Sequence, residues 1–266
     1  MESEKRLYEK SPFAIGLLNL TRIYYYVAMT RFDIITIFPE IFDSYVNESI
    51  LSRAQKRKKI KIHIINLRDF ADDAHHMVDD RPYGGGPGMV FKLEPLVKAI
   101  SSLKLKKSKV KIILFSAGGK KFDSKVAAET AKKYNRIVMI AGRYEGIDER
   151  IKKVLRDSEL PFQELSIGPY VLTGGELPAM VVIDSVSRHI SGVLGKEESL
   201  EEKRYGVGVS VYTRPEVFIY KNKKYTVPKI LLSGDHKKIA AWRETNRRVS
   251  PKGQEEWRLK NKKTCL

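Results

Sequence analysis

From Phe32 onward the chain alternates compact apolar runs with longer stretches whose apolar residues recur every three or four positions. Phe32 to Phe38, Lys61 to Asn66, Val110 to Phe115 and Arg136 to Ala141 read as strands. Glu40 to Arg57, Glu94 to Leu103 and Glu176 to Ile190 read as helices, and further strand–helix pairs centre on Ile112 and Val126 and on Val138 and Ile151. In the helix from Glu176, residues Met180, Ile183, Val186 and Ile190 share one stripe. This alternation predicts an α/β domain with a parallel sheet. The segment from Leu67 to Met89 is a long glycine-rich loop, and long ordered loops are usually functional. A basic turn, Lys104 to Lys109, precedes the third strand. After Ile190 comes a charged linker, Ser191 to Ser210, holding Lys196-Glu197-Glu198-Ser199-Leu200-Glu201-Glu202-Lys203-Arg204. The remainder reads as a strand (Glu216 to Tyr220), a turn (Lys221 to Lys224) and two helices, Asp235 to Val249 and Gly253 to Lys262.

Three strand ends leave through glycine-rich segments: Leu114 to Gly119, Ile140 to Arg150 and Ser166 to Met180. In the last, Glu176 and Pro178 open a helix, because an acid in the first turn suits the dipole and proline tolerates the first helical positions. Gly168, Gly174 and Gly175 carry no side chain, so a flat ligand can approach the backbone there. Three such exits predict one crevice at the carboxyl edge of the sheet, where open α/β folds bind ligands. A P-loop signature and a Gly-x-Gly-x-x-Gly between strand and helix are both missing, so the residues alone imply a crevice for a small planar ligand.

Composition changes the picture in one respect. The 266 residues carry 50 Lys and Arg against 32 Asp and Glu, a net charge of +18, which favours a polyanionic partner. Residues 221–266 concentrate it, with fourteen Lys and Arg against four Asp and Glu. Tyr220, Tyr225, Trp242 and Trp257 are interleaved with that charge, where aromatic rings can stack on unpaired bases; the two tryptophans are better placed to pack a small helical core. The single cysteine, Cys265, excludes a disulfide framework and a Cys-based zinc site, and the chain reads as cytoplasmic. His75 and His76 lie near Asp79 and Asp80, but adjacent side chains diverge, so a solvated loop is the better reading than a metal site. Phe13 to Ala28 is apolar but short, and Asn19 and Arg22 interrupt it, so it does not read as a membrane span.

Together with Asp79-Asp80-Arg81-Pro82-Tyr83-Gly84-Gly85-Gly86-Pro87-Gly88-Met89, the glycine-rich segments resemble the bacterial tRNA (guanine-N1-)-methyltransferases of the knotted SPOUT superfamily. Ile37-Phe38-Pro39-Glu40-Ile41-Phe42, Asp184-Ser185-Val186-Ser187-Arg188 and Tyr212-Thr213-Arg214-Pro215-Glu216-Val217 match as well, in order, from about Met29 to Trp242. The resemblance implies a SPOUT-type parallel sheet with a trefoil knot and a small, mainly helical C-terminal domain. It places a methyl-donor domain at 29–190, a linker at 191–210 and a small basic tRNA-binding domain at 211–266. Residues 1–28 are expected to be an upstream extension outside the fold, with Met29 the natural start. The small domain ends soon after Trp257, so a reduced tRNA footprint is expected.

The activity so implied is transfer of a methyl group from S-adenosylmethionine to N1 of guanosine at tRNA position 37, beside the anticodon, by a homodimer. The alternatives are an RNA-binding pseudoenzyme and a SPOUT methyltransferase with another RNA target. By resemblance the donor site comprises Phe115, Ser116, Gly142, Tyr144, Ile167, Gly168, Pro169, Tyr170, Val171, Leu172, Gly174, Gly175 and Pro178. Arg188 matches an arginine that contacts the target guanine, and Glu145 an acid linked to a magnesium requirement; a surface ion pair and a helix-start acid are their plainer readings. The chain departs from the family where an Asp, four residues before Tyr212, is the usual general base: that place is Gly208, and Pro169 also stands where an Asp is usual. Either a linker carboxylate such as Glu201 or Glu202 takes over, or Glu145 is the base, or activity is weak; the linker, and Glu202 in it, is the favoured place.

Overall fold

Side chains alternate between two faces along a strand, and here both faces are apolar, so the sheet is buried on both sides. In the computed structural model, whose described residues are 29–195, 200 and 209–246, five parallel strands form this sheet. They are β1 (Thr30–Thr36), β2 (Ile60–Asn66), β5 (Val110–Lys121), β6 (Arg136–Ile140) and β7 (Phe162–Ser166), in the order β2-β1-β6-β5-β7. Phe32, Ile34, Ile113, Ile137 and Met139 face one core, which helices α1 (Ser49–Lys56), α3 (Ser124–Lys133) and α5 (Glu176–Arg188) cover. Ile35, Ile112, Leu114, Val138 and Ile140 face the other, under α2 (Leu93–Ser102) and α4 (Arg150–Asp157). An α/β fold with a parallel central sheet is therefore present.

Thr30, Thr36, Lys111 and Ser166 are buried polar positions of the sheet, and the most demanding exception to the apolar rule is a carboxylate. Asp33 in the middle of β1 is fully buried, which is tolerable only for a paired charge. Its oxygens accept from Arg31 Nε at 2.8 Å and Arg136 Nε at 2.8 Å, with His63 Nδ1 at 2.9 Å. The carboxylate thus pins β1, β2 and β6 together.

Several expected elements differ. The helix expected over Glu40 to Arg57 is a 3-10 turn (Pro39–Phe42), a helical turn (Asp43–Val46) and α1. Glu48 is extended and Ser49 has φ +47, so the helical hydrogen bonds stop there, and the Gln55 amide donates instead to the Val46 carbonyl at 2.8 Å. The loop from Leu67 holds a 3-10 turn (Leu67–Phe70) and a two-residue strand β3 (Asp79–Asp80) paired antiparallel with β4 (Val90–Phe91). The exit expected after Phe115 is part of β5: Phe115 and Lys120 both oppose Leu165, so Ser116 to Gly119 bulge out of a strand that continues to Lys121.

The chain divides into two compact units between Leu194 and Gly195. The described part of the second contains a hairpin of β8 (Val217–Tyr220) and β9 (Lys223–Thr226), a 3-10 turn (Lys229–Leu232) and α6 (His236–Thr245). Lys221 and Asn222 both have positive φ, as the two-residue hairpin turn demands. This hairpin was missed because β9 was read as part of the turn, so the unit is not simply helical. Trp242 of α6 packs against Tyr212 with ring centroids 6.2 Å apart. The expectations for residues 1–28, the linker acids Glu201 and Glu202, Gly208, Trp257 and the helix from Gly253 lie outside the described residues.

Candidate active site

Strands β6, β5 and β7 are neighbours, so their carboxyl ends emerge side by side. A cavity of about 310 Å³ opens there, walled by the β5 end and bulge, by the turn from Gly142 to Ile147, and by the loop from Ile167 to Gly175 that leads into α5. The volume lies at the lower end of the small-molecule range.

The loop after β7 has to return past the end of β5 to reach β6, and its closing contact is backbone to backbone. Gly175 N donates to Gly142 O at 2.8 Å, and a Cβ on Gly175 would lie 2.6 Å from the Ala141 Cα. A Cβ on Gly174 would strike Arg143 and Glu176, and one on Gly168 would overlap the ring of Tyr170. These glycines were expected to leave room for a ligand; the protein's own atoms occupy that room, and the absent side chains allow the chain to cross itself. The start of α5 is fixed by Glu176, whose carboxylate is 2% exposed. It accepts from Thr36 Oγ1 at 2.8 Å and Arg143 Nε at 3.0 Å, and the Arg143 guanidinium lies 4.7 Å from the centre of the Phe38 ring. One carboxylate therefore joins the end of β1, the turn after β6 and the start of α5.

At the mouth, Glu145 lies against the glycine-rich loop: its Oε1 would be 2.4 Å from a Cβ on Gly88, and its N–H donates to Met89 O at 3.1 Å. Gly84, Gly85, Gly86 and Gly88 all take positive φ, which explains the glycine run. Tyr144, also at positive φ, sets its ring edge-on to Phe91 at 6.4 Å. On another wall Lys152 bonds both Glu164 (2.9 Å) and Glu149 (2.7 Å), and these hydrogen bonds raise its pKa. The lining holds three carboxylates, Glu145, Glu149 and Glu164, against two cations, and Arg143 is already committed to Glu176. The cavity therefore favours a ligand with positive charge.

Twelve of the thirteen residues expected at a donor site line this cavity, together with Glu145; Pro169 does not. Arg188 does not either. It ends the thirteen-residue α5, about 18 Å along the axis from Glu176. Sequence reasoning missed Thr36, Arg143, Glu149, Lys152, Glu164 and the anchoring role of Glu176. Arg143 and Glu149, inside the Ile140 to Arg150 segment, and Glu176, inside the Ser166 to Met180 segment, carried a readable signal; Thr36, Lys152 and Glu164 did not. His75 and His76 are exposed, and no group of three or more His, Cys, Asp or Glu side chains able to hold a metal occurs among the described residues.

A doubly covered parallel sheet with a cavity at its carboxyl edge, bordered by a helix start, defines an α/β protein with a crevice of small-molecule size across neighbouring strand ends. Residues 30–256 match the family described as tRNA (Guanine-1)-methyltransferase TrmD. The chain is 49% identical over 218 residues to a tRNA (guanine-N(1)-)-methyltransferase of Dictyoglomus turgidum, covering 81% of this chain and 84% of that protein. The similarly named protein of Carboxydothermus hydrogenoformans is 46% identical, covering 80% and 81%, and that of Geobacter sulfurreducens 45%, covering 83% and 89%. The chain belongs to the tRNA (guanine-1)-methyltransferase family.

Proposed function

We propose that this chain transfers a methyl group from S-adenosylmethionine to N1 of guanosine at tRNA position 37, working as a homodimer in the cytoplasm. The observation that carries this is the convergence of the β5, β6 and β7 exits on one cavity in a chain of this family. S-adenosylmethionine is a flat purine joined to a sulfonium cation, and it supplies an electrophilic methyl group. The cavity suits both parts, with apolar walls (Leu114, Ile147, Leu172, Pro178), many backbone groups and an excess of carboxylate. Residues 29–190 make the donor-binding domain, 191–210 the linker and 211–266 the tRNA-binding domain. A trefoil knot is supported by the return of the loop after β7 past β5 to Gly142.

Holding guanine beside the donor in attack geometry accounts for most of the rate. The guanine N1 proton must leave, and a positioned carboxylate contributes about 10²–10⁴-fold; Glu202 of the linker is the first candidate and Glu145, at the cavity mouth, the second. Arg188 stabilises negative charge developing on the guanine O6. Since Arg188 lies far from the cavity of its own chain, the homodimer reading has it serve the partner's cavity. An apolar patch supports that pairing: Leu177 (55% exposed) and Val181 (41%) on α5, beside Ile41 and Tyr45. For the RNA-binding domain, the support is the exposed cross-strand pair Phe218–Tyr225, with Lys221 over Tyr220 (5.5 Å) and Lys223 over Tyr225 (5.7 Å). No helix among the described residues is long and apolar enough to cross a membrane.

The test is calorimetric titration with S-adenosylmethionine, followed by single-turnover methylation of a transcript with guanosines at positions 36 and 37. No heat at millimolar donor would reject the cavity assignment. Label on another RNA, with none on this transcript, would reject the target. Equal rates after single replacement of Glu145, Glu201 and Glu202 would remove the proposed proton acceptors.

A further inference from the structure

At the edge of the sheet opposite the cavity, three turns meet. Backbone bonds run from Thr30 N to Lys59 O (3.1 Å), from Arg31 N to Asn135 O (2.8 Å) and from Asn135 N to Lys109 O (3.0 Å). The turns before β2, β5 and β6 are thereby held side by side. Residues 56–61 contain Lys56, Arg57, Lys58, Lys59 and Lys61; residues 104–109 contain Lys104, Lys106, Lys107 and Lys109; residues 132–136 contain Lys132, Lys133 and Arg136. That is twelve cations and no Asp or Glu within the three turns. Among the described residues, carboxylates pair with three of them: Glu159 with Lys107, Glu129 with Lys133 and Asp33 with Arg136.

Cations at this edge have an ordinary explanation, because α1, α2 and α3 all end here and a positive side chain suits a helix C-terminus. That effect fades within the last turn, so one cation per helix satisfies it. The others repel one another and weaken the fold. A second observation points the same way. Lys58, Lys104 and Lys109 take φ of +55°, +47° and +60°, the left-handed conformation that glycine adopts at least cost and that commonly follows a helix end. At three such positions the chain has lysine, keeping charge where backbone preference favours glycine.

We propose that this amino-edge belt is an RNA-binding surface, contacting the sugar-phosphate backbone about one strand length, roughly 23 Å, from the cavity. The choice of RNA rests on the methyltransferase reading above. An anionic membrane fits less well, since a surface-bound segment buries apolar side chains and the only large aliphatic side chain exposed to any extent in these turns is the half-buried Leu105. The belt therefore holds the sugar-phosphate backbone of a tRNA without reading its sequence.

The test uses the full chain and two triple variants: Lys58→Gly, Lys104→Gly and Lys109→Gly together, and Lys106→Gln, Lys109→Gln and Lys132→Gln together. Affinity for a tRNA transcript is measured across a salt series, alongside melting temperature and calorimetric titration with S-adenosylmethionine. Both variants are expected to melt at or above the parent and to bind the donor unchanged. They should lose about ten-fold in RNA affinity at 0.1 M salt, with the slope of log affinity against log salt shallower by about two. Unchanged affinity and slope would overturn the belt while leaving the methyltransferase reading intact. Loss of binding to phosphatidylserine vesicles without loss on RNA would overturn it in favour of a membrane. If the parent methylates no transcript and binds none, the reading beneath it fails first.

Discussion

Replacing Gly175 by alanine tests whether the cavity depends on the chain crossing. Its φ of −84° and ψ of −1° suit alanine, so any penalty comes from contact alone. The new Cβ would lie 2.6 Å from the Ala141 Cα and 3.1 Å from the Ala141 carbonyl carbon and the Gly142 N. Non-bonded carbons prefer about 3.5–4.0 Å, so the two segments must part by roughly 1 Å. All three obstructing atoms are backbone, which leaves no side chain to rotate aside. Overpacking of this kind costs about 1–3 kcal/mol, and stretching the 2.8 Å bond from Gly175 N to Gly142 O adds about 1 kcal/mol. A total near 2–4 kcal/mol corresponds to a fall in melting temperature of roughly 5–15 °C for a unit of this size. Gly174 and Gly142 both line the cavity on the two segments that this contact joins, so the same displacement should weaken donor binding. The control is Gly85→Ala, where φ is +78° and the space is open: a loss of about 1 kcal/mol and unchanged donor affinity. Thermal melts and donor titration of both variants decide the matter. A Gly175→Ala protein that matches its parent in both measurements would refute the tight-crossing argument.

Asp33→Asn should lower stability by about 3 kcal/mol, because it leaves Arg31 and Arg136 facing a neutral amide inside the sheet, while donor binding persists; an unchanged melt would mean water already screens these charges. Lys111 is 8% exposed, and desolvation, with Lys120 repelling it next, lowers its pKa below the ordinary lysine value. The unfolded chain then binds more protons than the folded one as pH rises between the two pKa values, so this residue's destabilising effect is full at neutral pH and fades toward pH 10. Lys111→Met should therefore melt above the parent at pH 7, with a difference that narrows as pH rises; a constant difference would reject the desolvation cause. Arg188→Ala should inactivate; if Glu145 rather than Glu202 takes the guanine proton, Glu145→Gln should as well, and mixed dimers of the two should recover roughly a quarter of parental turnover when each Arg188 serves its partner's cavity. No recovery would overturn the assignment of Arg188 to the partner's cavity.

The parallel sheet was legible because its signal is local. Phe32 with Ile34 and Ile137 with Met139 share one face of their strands, Ile35, Ile112 with Leu114, Val138 and Ile140 take the other, and the helices that cover them repeat at helical period. Sites where long-range contacts override local preference were not legible. Ser116 to Gly119 reads as a loop, but β7 pairs with β5 on both sides of it and the strand runs through. Asn47 to Ser49 carries no proline or glycine, so the break before α1 is set by packing and has no local signature.

The same division runs through the candidate site. Gly174 and Gly175 are conspicuous in sequence, yet their reason is a contact with Ala141 and Arg143 more than thirty residues away. Glu176 reads as a generic helix-start acid until Thr36 and Arg143 are seen to converge on it. Arg188 shows the limit from the other side. Its motif is adjacent in sequence to the segment that walls the cavity, and a thirteen-residue helix then carries it about 18 Å along the axis from Glu176. Sequence proximity suggested one site, whereas the length of the helix requires either a second chain or no role for Arg188 in the chemistry. The mixed-dimer experiment separates these two outcomes, because only a second chain allows two inactive proteins to rebuild one working cavity.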